Sequence, residues 1–292
     1  MSGDTLRTIG VVGAGQMGRG IAQVAARSGF AVLLYDQERK VLDAALKSID
    51  ASLLRLVEKG TLPENVRAEA IERIRAAAEP GSFSAADFMI EAISEDRALK
   101  MRVFATLDGV CRPGVILASN TSSLSITKIA SATRRADRVI GMHFMNPVPV
   151  MELVEIVAGQ STSRETIETT LGLAKSLGKT PVAAQDFPGF ISNRVLMPMI
   201  NEAICALHEG VGSRDDIDTV MRLGMRHPMG PLALADFIGL DTCLAIMEVL
   251  HDGFGDPKYR PCPLLRRMVD AGLLGRKSGR GFYEYGAEGT PR

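Results

Sequence analysis

The chain has 292 residues, 46% of them hydrophobic and 23% charged, close to the soluble globular average, which excludes a disordered or collagen-like polypeptide. Its 34 Lys and Arg cancel its 34 Asp and Glu, so no net field draws it to a nucleic-acid backbone or an anionic membrane, and any anion site must be local. The length is about twice the ~150 residues of a typical domain, and no apolar run approaches the ~18 residues that span a bilayer, so two domains without a membrane anchor are expected. Cys111, Cys205, Cys243 and Cys262 are separated by 94, 38 and 19 positions. That matches no zinc, redox or disulfide spacing, and they read as reduced, buried thiols. The first strand pattern begins at Arg7, leaving no room for a signal or transit segment, and the expectation is a cytoplasmic protein.

A strand expected over Thr8–Val12 runs into Gly13-Ala14-Gly15-Gln16-Met17-Gly18, then a helix, then a strand over Ala31–Tyr35 that ends at Asp36. This is the full strand–glycine loop–helix–strand–acid context of a dinucleotide site, far more specific than the glycines alone. Gly13 allows the tight turn, Gly15 lets backbone amides approach a pyrophosphate, and Gly18 lets the helix pack on the sheet. The helix N-terminus adds unpaired N–H groups and a positive dipole end. Asp36 is placed to accept hydrogen bonds from ribose hydroxyls and to repel a 2′-phosphate, which favours NAD, with Arg39 keeping NADP open. Gly13, Gly15, Gln16, Met17, Gly18 and Asp36 form the candidate cofactor set.

Val41 to Ala78 reads as two amphipathic helices broken at Gly60–Pro63, more than one crossover needs, and so as a protruding helical hairpin. Further strands are expected over Phe88–Ile93, Val115–Ser119, Arg138–His143, Leu153–Val157 and Pro181–Ala184. Alternating with helix-period segments, they define an α/β architecture, a Rossmann-type mostly parallel sheet. After Asp186 only helix patterns remain, over Gly189–Glu209 with Pro198 inside it, Ser213–Leu223, Pro231–Leu250 and Pro263–Ala271. The expected organisation is a nucleotide-binding domain over residues 1–185 and a smaller all-α domain over 186–292.

A reversal of the chain at Pro147–Pro149, centred on Pro149, sets His143 opposite Glu155, within reach of an imidazole–carboxylate hydrogen bond. The carboxylate would fix one tautomer and favour imidazolium, suiting the ring to exchange a proton with an alcohol while hydride leaves the same carbon. Glu152 is a rival acid, but its odd offset from Glu155 points it to the opposite face. His208, His227 and His251 have no comparable partner. No cluster has metal-ligand spacing, so no metal is expected.

The Gly13–Gly18 loop, Ser119–Leu124 (SNTSSL), His143–Pro147 (HFMNP), Leu153–Ile156 (LVEI), Asp186–Arg194 (DFPGFISNR), Met229-Gly230-Pro231 and Gly279–Tyr285 (GRGFYEY) occur in this order across essentially the whole chain. Together they resemble the L-3-hydroxyacyl-CoA dehydrogenase family, in length and domain pattern its bacterial 3-hydroxybutyryl-CoA branch. The resemblance implies NAD-dependent interconversion of an (S)-3-hydroxyacyl-CoA and its 3-oxoacyl-CoA, with His143 as base and Glu155 orienting it. It implies that Ser122 and Asn193 hydrogen-bond the 3-oxygen or the thioester carbonyl. It sets Glu95 and Lys100 along the nicotinamide ribose, although Ser94-Glu95-Asp96 stands where the family usually has Glu followed by Asn. Asn146 would hold the strand end or touch nicotinamide, and Ser52 and Lys59 on the hairpin would contact coenzyme A. Ordinary uses stay open for several of these: a turn and helix-cap run for Ser122, an interhelical bond for Asn193, a solvated helix position for Lys59. The methionine-bearing helices of the second domain, with the resemblance, suggest a homodimer. The rival readings are a dehydrogenase of a free hydroxy or sugar acid and a non-catalytic nucleotide-binding relative.

Overall fold

A computed structural model of the protein describes residues 6–286, which form two compact units divided between Phe187 and Pro188. The first unit runs β1 (Thr8–Val12), α1 (Gln16–Arg27), β2 (Ala31–Tyr35), α2 (Arg39–Glu58), α3 (Glu64–Arg73), β3 (Ile74–Ala76), β4 (Phe88–Glu91), α4 (Arg97–Val110), β5 (Ile116–Ser119), α5 (Ile126–Ala130), β6 (Val139–Phe144), β7 (Leu153–Ala158), α6 (Arg164–Ser176) and β8 (Thr180–Gln185). The eight strands form one sheet in the order β3-β2-β1-β4-β5-β6-β7-β8. Every neighbouring pair is parallel except the antiparallel hairpin β6–β7. The central strands are buried along their whole length, as parallel strands covered on both faces must be, and so they read as continuous apolar runs. Ile9 and Val11 of β1 share a core with Ile21 and Val24 of α1 and with Ile49 and Leu53 of α2.

The second unit contains α7 (Ser192–His208), α8 (Arg214–Thr219), α9 (Pro231–Ile238), α10 (Leu240–Phe254) and α11 (Pro263–Asp270). Met197, Ile204, Leu232, Leu240, Met247, Leu250 and Leu265 meet in its core. Ser213 caps α8 through the amide of Asp216, as a hydroxyl before an acidic first turn should.

Three expectations need correction. The helical pattern assigned up to Ala78 ends at Arg73, and Ile74–Ala76 is a strand pairing in parallel with β2. With only Ile74 and its two exposed neighbours, it has no alternation to reveal it. The helix expected over Pro231–Leu250 is two helices, broken at Gly239 with φ 102°. The apolar period runs on through the break because both helices face the same core. Finally, α7 starts at Ser192 rather than Gly189, because Gly189 and Phe190 take positive φ values of 77° and 51° that no helix accommodates.

Candidate active site

The carboxyl ends of β1, β4, β5 and β6 gather the residues singled out by sequence, where open α/β sheets place their ligands. Gly13 leaves β1 with φ 94°. A Cβ on Gly18 would run into the Gly13 carbonyl oxygen, while one on Gly15 would meet only open space. These are the close turn, close packing and open approach that a pyrophosphate at the N-terminus of α1 requires. A cleft of about 520 Å³ opens beside this loop, lined by Gly13, Gly15, Asp36, Glu38 and a largely apolar wall that includes Tyr35, Val41, Phe83, Leu99 and Leu107. Asp36 Oδ2 accepts the amide of Ala14 at 2.8 Å and Oδ1 that of Glu38 at 2.9 Å, so the acid is fixed to the glycine loop. Arg39 pairs with Asp43 at 3.0 Å. The apolar wall was not foreseen. Phe83 lies in a short 3-10 helix (Pro80–Ala85) and Leu99 and Leu107 in α4, with nothing local to mark them as lining the cleft.

The β6–β7 register sets His143 opposite Glu155. The pair is buried, His143 at 8% and Glu155 at 1% exposure, with Nδ1 2.8 Å from Oε2. An ionised carboxylate only accepts, so Nδ1–H is the donor, and in the neutral ring Nε2 is the nitrogen that carries the lone pair. The end of β6 is tied to that of β5, since the Phe144 amide donates to Asn120 Oδ1 at 2.9 Å. Asn146 instead accepts from Gln16 Nε2 at 3.0 Å, which joins the glycine loop to the end of the hairpin strand.

Glu95 gathers the loop after β5. Its Oε1 accepts the Thr121 hydroxyl at 2.6 Å, the Ser122 amide at 2.9 Å, the Ser122 hydroxyl at 3.1 Å and the Ser123 amide at 3.1 Å. Burial pushes the Glu95 carboxyl up, but the Lys100 charge and these donors outweigh it and hold it below the usual range. Lys100 is wholly enclosed. Its ammonium lies 2.6 Å from Glu91 Oε1 and 3.5 Å from Glu95 Oε2, and Glu91 Oε2 accepts the Ser119 hydroxyl at 2.7 Å. Lys100 therefore stands behind Glu95, supporting it. Glu91 escaped the sequence reading because it lies inside the apolar run expected as a strand over Phe88–Ile93, whereas the strand ends at Glu91 itself.

Ser52 and Lys59 lie two turns apart on the α2 side of the hairpin, Ser52 half-buried and Lys59 exposed at the helix end; neither lines the cleft. Asp186 caps α5, accepting the Ile126 and Thr127 amides at 2.9 and 2.7 Å. In the second unit Asn193 is a buried residue of α7, and Arg194 stacks on Phe254 and Tyr259. Asp218 caps α9 through the Leu232 and Ala233 amides, and a Cβ at Gly230 would strike it. Asp236 holds the Phe282 and Tyr283 amides and the Tyr285 hydroxyl, each at 2.9 Å. These two acids account physically for the Met229–Pro231 and Gly279–Tyr285 motifs. Among the described residues no cluster of His, Cys, Asp or Glu could hold a metal ion, and no helix is long and apolar enough to cross a membrane.

Residues 8–187 match the NAD binding domain of 3-hydroxyacyl-CoA dehydrogenase, and residues 189–285 match its C-terminal domain. The chain belongs to the 3-hydroxyacyl-CoA dehydrogenase family. It is 59% identical over 280 residues, 96% of this chain and 98% of the relative, to a probable 3-hydroxybutyryl-CoA dehydrogenase of Bacillus subtilis. It is 43% identical over 288 residues, 96% of this chain and 91% of the relative, to the mitochondrial hydroxyacyl-coenzyme A dehydrogenase of Homo sapiens. The crystal structure of an (S)-3-hydroxybutyryl-CoA dehydrogenase from Ralstonia eutropha superposes with a TM-score of 0.95 at 51% identity, covering 97% of this chain and all of that one. As a 3-hydroxyacyl-CoA dehydrogenase, the protein is an NAD-dependent oxidoreductase. The glycine loop, Asp36 and the apolar wall fit the cofactor's pyrophosphate, ribose and adenine in turn.

Proposed function

We propose that this dehydrogenase interconverts a short-chain (S)-3-hydroxyacyl-CoA, such as 3-hydroxybutyryl-CoA, with its 3-oxoacyl-CoA. The observation that carries this reading is the buried 2.8 Å contact between His143 and Glu155, which leaves Nε2 as the acceptor on the strand end next to the glycine loop. Gly13, Gly15, Gln16, Met17, Gly18 and Asp36 hold NAD, with Glu95 and Asn146 toward its nicotinamide end. When bound, the cofactor supplies hydride exchange with C3 of the substrate. His143 Nε2 takes the proton of the 3-hydroxyl in oxidation and returns it to the 3-oxygen in reduction. Glu155 holds the ring in one tautomer and stabilises the imidazolium that forms, as the acid of a catalytic triad does. Ser122 hydrogen-bonds the 3-oxygen, its loop held by Glu95, and Asn193 contributes a further substrate hydrogen bond. Ser52 and Lys59 are assigned to coenzyme A, Lys59 through its charge on a phosphate.

The chain acts as a homodimer through its helical unit. Val211, Val220, Leu223 and Met225 are exposed there, and Met199, Ala203, Ala206 and Ile217 line an apolar groove with Val211 and Val220. Uncovered apolar surface of that kind marks an association site. Light scattering is expected to give twice the 31.3 kDa of one chain; a concentration-independent single-chain mass would contradict it. Its four free thiols suit a reducing compartment, and we place the enzyme in the cytoplasm. The test of the reaction is NADH consumption at 340 nm, with acetoacetyl-CoA compared against free acetoacetate. Turnover of the thioester alone is expected. Preference for the free acid would support a hydroxy-acid dehydrogenase, and NADH binding without consumption a non-catalytic relative.

A further inference from the structure

The residues between His143 and Glu155 are restrained by a group that the reaction itself does not use. After β6 the chain turns through Pro147–Met151, where the Val150 and Met151 amides both donate to the Pro147 carbonyl at 3.0 Å. The Lys179 ammonium, from the residue before β8, donates to the Val148 carbonyl at 2.6 Å and to the Met151 carbonyl at 2.7 Å. Lys179 is only 8% exposed and makes no ion pair among the described residues. Burial pulls its ammonium below the ordinary lysine range, Arg27 at the end of α1 pushes the same way, and Glu152 opposes them.

A methionine would fill this space without the cost of enclosing a charge. What the charge adds is a pair of strong hydrogen bonds to carbonyls at both sides of the turn. The turn also rests on the cofactor helix. A Cβ at Gly20 of α1 would come within 2.9 Å of Val148 Cβ, and Gln16 of the same helix donates to Asn146. Gly20 is thus small because the turn lies against it.

We propose that Lys179 is a positioning residue of the reaction, acting through the Pro147–Met151 turn to fix the β6–β7 hairpin, and hence the His143–Glu155 pair, against the helix that carries the cofactor loop. This rests on the reaction assigned above. Lys179→Met and Lys179→Gln give the test, read by kinetics and by the ring nitrogen correlations of 15N-labelled histidine. The chain has only four histidines, and a His143→Asn sample assigns the relevant signal.

In Lys179→Met, kcat should fall about 10- to 10²-fold, the cost of a displacement on the order of 1 Å at the reacting groups. The NADH dissociation constant should stay within about twofold, since the adenosine cleft is untouched, and the His143 signal should move. Lys179→Gln, which keeps an N–H donor, should recover part of both, and carries the test if the methionine variant does not fold. A lowered melting temperature with unchanged kcat and an unmoved His143 signal would reduce Lys179 to a stabilising residue and overturn the proposal. The histidine spectrum is recorded without cofactor or substrate, so the clamp and the assigned reaction fail separately.

Discussion

Both units of this protein bury carboxylates, and they surround them differently. In the first, Glu155 faces a histidine at 2.8 Å and Glu91 faces a lysine at 2.6 Å. In the second, Asp218 and Asp236 face backbone amides and tyrosine hydroxyls. An acid beside a group that changes protonation can orient or drive a proton transfer, whereas one beside amides is a cap or a clasp. On that difference the proposed proton transfer belongs to the end of the parallel sheet, and the buried acids of the helical unit belong to its architecture.

The sharpest way to break that contrast is to remove the titrating partner. His143→Ala should lower kcat by about 10²–10⁴-fold, the usual worth of a general acid–base group, with NADH affinity nearly unchanged; near-normal turnover in a steady-state assay would move the chemistry elsewhere. Asp236→Ala should act on stability instead. Two backbone amides and the Tyr285 hydroxyl would lose a charged acceptor inside the core, costing about 2–3 kcal/mol in denaturant unfolding while NADH binding survives.

Asp36→Ser should sharpen the cofactor side with a smaller effect. Loss of a charge-assisted hydrogen bond to the ribose, about 1.5–3 kcal/mol before compensation by the serine hydroxyl, should raise the NADH dissociation constant about tenfold and narrow the preference over NADPH. Equal affinities before and after would refute the assignment.

The smallest effect is one of pH. In the first unit burial pushes Asp87 and Asp108 up, but amide and arginine donors outweigh it and hold both below the usual carboxylate range, as Lys100 and the serine loop do for Glu95. In the second unit burial outweighs the amides at Asp236 and leaves it raised. Groups held low stabilise the fold above the usual value near ~4 and lose that contribution as pH falls through their folded values. Asp236 ionises less readily in the folded than in the unfolded chain, and that penalty fades as it takes up its proton. Asp241 is also held low, where burial is outweighed by its bond to Lys277, but that pair is surface-exposed and contributes little. Between about pH 5 and pH 3 the first unit should weaken relative to the second. Hydrogen exchange, pulsed at one fixed pH after acid exposure, should show first-unit peptides losing protection before those around Asp236 and Tyr285; the reverse order would contradict it.

The sheet was legible because parallel strands are apolar throughout and punctuated by glycine and polar turns, and Thr8–Val12 and Ala31–Tyr35 were delimited to the residue. The His143–Glu155 juxtaposition was legible for a similar reason, because a short reversal fixes register by counting. Ile74–Ala76 was hidden, since a three-residue edge strand carries no period. Lys179 and Glu91 were hidden because each bonds to groups far along the chain: two carbonyls 28 and 31 positions away for Lys179, and the Ser119 hydroxyl 28 positions away, besides Lys100 nine positions on, for Glu91. Asp236 was hidden likewise, because no local pattern announces amides 46 and 47 residues downstream.

The most direct measurement is a crystal structure with NAD and acetoacetyl-CoA bound together, a pair that cannot react because both are oxidised. The account predicts His143, as the imidazolium, with Nε2 about 2.6–3.2 Å from the 3-oxygen and Nδ1 still on Glu155. A 3-oxygen bound by another side chain, with Nε2 turned away from it, would contradict the account.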